Sequence, residues 1–185
     1  FSLYRQSKLL HSYERIFILD DDIILNTEEI NDMFDFAKAF DLEICQPSFS
    51  TKSKISHLVT KQKETNPIGR YTNFIEMNTP LMTKKAINNF DSIFDNSLSG
   101  YGTDYLFIWI NNNRQIPSIS CRKFAINDEI SCVNPNDREL SKEGRELDKI
   151  NNIINENRSW KTYSDKISCP YEWKPNSLGK IQRIN

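Results

Sequence analysis

The chain has 185 residues and a formal net charge of −1, with 24 Lys and Arg against 25 Asp and Glu. That length predicts one domain with a real core. The mixed charge excludes the basic field that would select nucleic acid, and no apolar run approaches the roughly 20 residues needed to span a bilayer. Residues 3–14 read as a helix, with Leu3, Leu9, Leu10 and Tyr13 inward and Arg5, Lys8 and Arg15 around them. Ile16-Phe17-Ile18-Leu19 then reads as a short buried strand. Asn26 with Glu29 three residues on is a capping box, and Ile30, Met33, Phe34, Ala37 and Phe40 follow at helical spacing as core.

Glu43–Gln46 reads as a second strand, stopped by Pro47. The polar stretch 48–70 reads as a loop long enough to suspect function, and its His57 as more often structural than catalytic. Phe74-Ile75 is strand-like. Thr83 predicts the cap of a helix that buries Ala86, Ile87, Phe90, Ile93 and Phe94. Gly100 and Gly102 permit tight backbone beside a ligand, and Asp104 opens the next helix, where a plain capping or first-turn acid is the ordinary role. Residues 116–120 and 123–127 suggest two strands or a hairpin. A charged helix with Leu140, Leu147, Ile150 and Ile154 on one stripe is expected from Glu139 to about Asn157. The tail, 159–185, reads as irregular aromatic packing. The chain thus divides into a core, 1–135, and a C-terminal helix and tail, 136–185.

Four cysteines, Cys45, Cys121, Cys132 and Cys169, form no Cys-x-x-Cys pair, which argues against zinc and fits scattered thiols in a reducing compartment. The sequence has no signal-peptide pattern, and a cytoplasmic setting is the expectation.

The chemistry-bearing stretch is the strand that runs into Asp20-Asp21-Asp22. Three adjacent carboxylates at a strand end repel one another and call for a counter-charge, commonly a divalent metal shared with phosphate. A solvated acidic turn is the plainer reading. Glu76 stands in an otherwise apolar or aromatic stretch, either paired with Arg70 or held for a ligand.

The order Asp20-Asp21-Asp22, Gln46-Pro47-Ser48, Ser56-His57, Phe74-Ile75-Glu76-Met77 and Gly100-Tyr101-Gly102-Thr103-Asp104 resembles a glycosyltransferase-like family of uncharacterised function. That family carries a strand into Asp-Asp-Asp, a Gln-Pro-Ser, a Phe-Val-Glu-Met-x-x-Pro and a Gly-Trp-Gly-x-Asp. The match covers roughly residues 8–135. The resemblance implies an α/β GT-A-like, Rossmann-related mixed sheet flanked by helices, here without the N-terminal nucleotide-binding βαβ unit. It also implies transfer of a sugar from a nucleotide-sugar donor to a glycan or polysaccharide acceptor, with Mn2+ or Mg2+, at the cytosolic face of a membrane. Asp22 and Asp20 would bind metal, and Asp20, Asp21, Arg70 and Lys8 the nucleotide sugar. Asp104 would be the base that takes the acceptor proton, and Glu76 a second candidate or acceptor ligand. The family places a His six residues after a strand-ending Asp. Counted from Asp128, that position is Asn134, a weaker metal ligand, and the following Arg-Pro is absent, Arg138 lying out of register. Two other readings compete. A haloacid-dehalogenase-type phosphatase would use Asp20 and Asp22 but match Gly100–Asp104 poorly. A non-catalytic sugar-binding or scaffold domain would suit Asn134 and the aromatic tail.

Overall fold

The computed structural model describes residues 2–65, 68–95, 98, 100–135 and 153–182. In chain order the elements are α1 (Ser2–Gln6), a 3-10 turn (Leu10–Ser12), β1 (Arg15–Phe17), α2 (Thr27–Ala39), β2 (Ile44–Phe49), a second 3-10 turn (Leu58–Thr60), β3 (Gly69–Thr72), β4 (Leu81–Thr83), α3 (Lys84–Asp91), α4 (Thr103–Asn111), β5 (Phe124–Cys132), α5 (Ile153–Ile167) and β6 (Ser177–Lys180). The strands form one mixed sheet in the order β1-β4-β2-β5-β3-β6. Strands β1 and β2 both lie antiparallel to β4, and β2 pairs in parallel with β5. The carboxyl ends of β1, β2 and β5 therefore share one edge.

Both faces of the sheet are covered. Cys45, Leu81 and Ala125 pack with Met33, Phe36 and Ala37 of α2. Their neighbours Ile44, Met82, Phe124 and Ile126 point the other way, to Phe90 of α3, Leu106 and Phe107 of α4, and Trp160 of α5. This two-residue alternation between two buried faces is why the central strands read as continuous apolar runs. The capping box of α2 forms as predicted: Asn26 Oδ1 accepts from Glu29 N–H at 2.9 Å and Glu29 Oε2 from Asn26 N–H at 2.8 Å. Thr83 caps α3, its side chain accepting from Ala86 N–H at 3.1 Å.

Several expectations are corrected. The 3–14 helix is broken, because Ser7 Oγ takes the Leu10 N–H and a 3-10 turn replaces the helix. Strand β2 runs through Pro47 to Phe49. Only Ile44 and Cys45 pair with β4, and the β2–β5 register shifts between Pro47 and Ser48, so the missing proline N–H falls at an irregularity. The strand near Phe74 is β3, upstream: Thr72 Oγ1 bonds the N–H and O of Phe74, and the chain turns there. Residues 116–120 form no strand; Cys121 N–H closes a turn on Ser118 O. The tail supplies β6, antiparallel to β3. The predicted 139–157 helix falls mostly outside the described residues; the helix that is described spans Ile153–Ile167. All four cysteines are free. Among the described residues no helix is long and apolar enough to cross a membrane.

Candidate active site

The acidic turn leaves β1 at the carboxyl edge. Ile18 N–H and Asp20 N–H donate to Pro80 O and Asn78 O at 3.0 Å each, and Ile23 N–H closes the turn on Asp20 O at 3.2 Å. The chain then crosses the sheet end, where Ile24 and Val133 exchange hydrogen bonds of 2.9 and 3.2 Å. That bridge sets the segment after Asp22 against the end of β5, next to Asn134. Asn134 is held by its backbone, donating to Ser53 Oγ at 3.2 Å and accepting from Lys54 N–H at 2.8 Å. Burial, then Asp22 and Asp21, push the Asp20 carboxyl up from its ordinary value. Among the described residues no three His, Cys, Asp or Glu side chains converge on a point that would hold a metal.

The second part of the site is the Gly100–Asp104 turn. Gly100 and Gly102 take φ of 122° and 84°. A Cβ on Gly102 would lie 2.1 Å from Trp160 Cδ2, so both conformation and space demand glycine there. Gly102 is itself the N-cap of α4. Asp104, in the first turn, is therefore not the cap: its Oδ1 accepts from Met77 N–H. Burial, and next the Glu76 charge, push the Asp104 carboxyl up to about 7, against the Met77 N–H and His57. A pocket of about 220 Å³ joins the two parts, with Asp20 on one side, Gly100 and Thr103 on the other, and Ile18, Met77 and Phe107 among its walls. A larger hollow of about 630 Å³ beside α2, lined in part by Asp32 and Phe40, holds none of the predicted site residues.

Glu76 is 7% exposed, and of the two partners left open for it the structure excludes Arg70. Its N–H donates to Gln46 Oε1 at 2.7 Å, Thr60 Oγ1 donates to its Oε1 at 2.8 Å, and His57 Nδ1 stands 3.6 Å from the same oxygen. The His57 ring lies 4.3 Å from Phe74. Glu76 foremost, with Asp104 and Glu172, raises the affinity of His57 for a proton, while burial opposes it. His57 thus stands beside Glu76. Its isolation in sequence hid this, because the partner carboxylates come from other segments.

Two predicted ligands are corrected. Arg70 is fully buried in β3. Its guanidinium is consumed by the Asp128 carboxylate, Val59 O and Lys61 O, the last at 2.9 Å. Asp128 Oδ1 also accepts from Lys63 N–H at 3.0 Å. The pair pins the 57–63 loop, and with it His57 and Thr60, to the sheet, and leaves no guanidinium for phosphate. Lys8 is exposed before the Leu10–Ser12 turn, at the amino end of β1, while the acidic turn is at its carboxyl end. Asp21 is exposed at the crest of that turn. Sequence reasoning missed Thr60, which carries no signal beyond being polar, and Asp128 as the partner of Arg70; it noted Gln46 only within the Gln-Pro-Ser motif and gave it no role. Comparison of the chain with protein-family models, with curated proteins and with solved structures finds no match.

Proposed function

We propose that this α/β domain is GT-A-like and transfers a sugar from a nucleoside diphosphate to a hydroxyl of a glycan or polysaccharide acceptor. One observation carries the reading: the acidic turn and the Gly100–Asp104 turn meet at one pocket at the carboxyl edge of the parallel strands, with Asp20, Gly100 and Thr103 in its walls, and Asp104, next to Thr103, has its carboxyl pushed up to about 7. Ligands of open α/β sheets collect at that edge. Asp20 and Asp22 would hold Mn2+ or Mg2+ with the donor diphosphate, and that ion supplies charge neutralisation for the leaving group. Asp21 would face the nucleotide. The acceptor oxygen forms its bond to the anomeric carbon as the bond to the diphosphate oxygen breaks, and Asp104 takes the acceptor proton. A base is most effective when its pKa lies near the working pH, and the carboxyl of Asp104 meets that condition. Glu76, with His57 and Thr60 behind it, would position the acceptor and keep Asp104 basic.

The scaffold reading loses its support from the tail, whose tryptophans are tied inward. Trp160 Nε1–H donates to Tyr171 O at 2.8 Å and Trp173 Nε1–H to Asn73 O at 3.0 Å.

Calorimetric titration with UDP, GDP and CMP, with and without Mn2+, tests the reading. One nucleotide should bind in a Mn2+-dependent way, and Asp22→Ala should lower that affinity at least about tenfold with an unchanged melting temperature. Full Mn2+-dependent binding by Asp22→Ala would leave the cluster a surface turn. Hydrolysis of an aryl phosphate with Mg2+ would favour the phosphatase instead.

A further inference from the structure

The edge opposite the site exposes four of the eight large apolar side chains that stand in solvent among the described residues. Leu9, Tyr13, Ile116 and Ile119 are 66, 50, 42 and 74% exposed. Leu9 and Tyr13 lie in the segment that enters β1, and Ile116 and Ile119 in the one that enters β5. These strands run the same way, so both segments stand at the amino edge. Backbone hydrogen bonds stitch that edge together: Lys84 N–H to Glu14 O at 2.7 Å, Thr83 N–H to Glu43 O at 2.9 Å and Glu43 N–H to Lys123 O at 2.9 Å.

The isoleucines are presented by an ordered loop. Asn113 and Arg114 take φ of 54° and 60°, Asn112 Nδ2 donates to Gln115 O at 3.0 Å, and Arg122 NH1 donates to Ile119 O at 2.5 Å. Arg114 and Arg122 lie 5.6 and 4.7 Å from the ring centres of Trp109 and Tyr71. The charge here is basic although the chain as a whole is at −1. Lys8, Lys84, Lys85, Arg114, Arg122 and Lys123 stand against Glu14, Asp41 and Glu43, and Glu43 is already bonded by Lys85 at 3.0 Å and Lys123 at 3.3 Å.

We propose that this amino edge docks on an anionic lipid bilayer. Apolar side chains held out among lysines and arginines match the acyl boundary and the anionic headgroups of such a surface. The two apolar groups precede β1 and β5, which stand three strands apart in the sheet. Docking there leaves the carboxyl edge, with its acidic turn and pocket, facing the aqueous phase.

The test is co-sedimentation of the full chain with phosphatidylcholine vesicles, with and without phosphatidylglycerol. The chain should sediment only with the anionic vesicles, and less as salt rises. Leu9→Asp and Ile119→Asp should each lower the partition coefficient about tenfold while the circular dichroism is unchanged. Leu58→Asp is the control: Leu58 is 83% exposed but lies at the opposite edge, and its change should have no effect. Failure to sediment with anionic vesicles, or equal losses from Leu58→Asp and Ile119→Asp, would overturn the proposal and leave the edge to a protein partner with an acidic face. Neither outcome bears on turnover.

Discussion

Burial and the Glu76 charge make the Asp104 carboxyl release its proton late, against the Met77 N–H that favours its ionised form, and two measurements follow from that. As the base it must be ionised, so kcat/KM should rise through a pH of about 7 and level off above, and Asp104→Asn should abolish the dependence with a loss of at least about a hundredfold. The folded-state pKa is above the unfolded value near 4. The linked stability is therefore fully present below about pH 4 and is lost as pH rises through about 7. Asp104→Asn, whose amide oxygen can still accept from Met77, should remove this slope. Relative to the native chain it should gain on the order of 2–4 kcal/mol between pH 4 and 8, read from urea melts. Sequence reasoning reached Asp104 through the two glycines before it. It also gave the ordinary role as a cap or a first-turn acid; Gly102 is the cap, and Asp104 is an acid of the first turn whose Oδ1 accepts from Met77 N–H.

At the scale of elements, local chemistry was read most faithfully where it is self-contained. The α2 capping box involves residues three apart and forms as written. Asn26→Ala should cost about 1 kcal/mol in thermal or urea melts, because it frees the Glu29 N–H and leaves the Glu29 carboxylate alone on the Asn26 N–H. The same locality explains Thr83 at the start of α3. Strands were read less well. Strand β4 is three residues long and exists because it fills the gap between β1 and β2, where Arg15, Ile16 and Phe17 pair with Thr83, Met82 and Leu81. No three-residue window announces such a partner. Pro47 misled for the converse reason: its effect depends on whether a neighbouring strand needs its N–H, and here the register shift removes that need.

Across the whole molecule, the site is held by the C-terminal part of the chain. Trp160 of α5 is fully buried and occupies the space above Gly102, and Tyr101 OH donates to Glu172 Oε1 at 2.8 Å. Gly102→Ala should therefore destabilise by on the order of 3 kcal/mol, from left-handed strain together with the clash on Trp160. In a Trp160→Ala background the clash part should vanish, so the double-mutant cycle should show coupling of at least about 1 kcal/mol in thermal melts. Additive losses would mean that α5 packs on the turn without constraining it.

The α/β class was expected from the family resemblance, while local pattern by itself determined the capped helix α2, the face of α3 that buries Ala86, Ile87 and Phe90, and the position of the acidic turn at a strand end. Each of these depends on residues within a few positions of one another. Tertiary structure alone decided that Arg70 closes on Asp128, 58 residues away, rather than on phosphate, that Glu76 shares its oxygen with Thr60 and His57, and that Lys8 stands at the wrong edge. Charge partnership in a buried site is a matter of distance across the sheet. Strand order, not spacing along the chain, sets that distance.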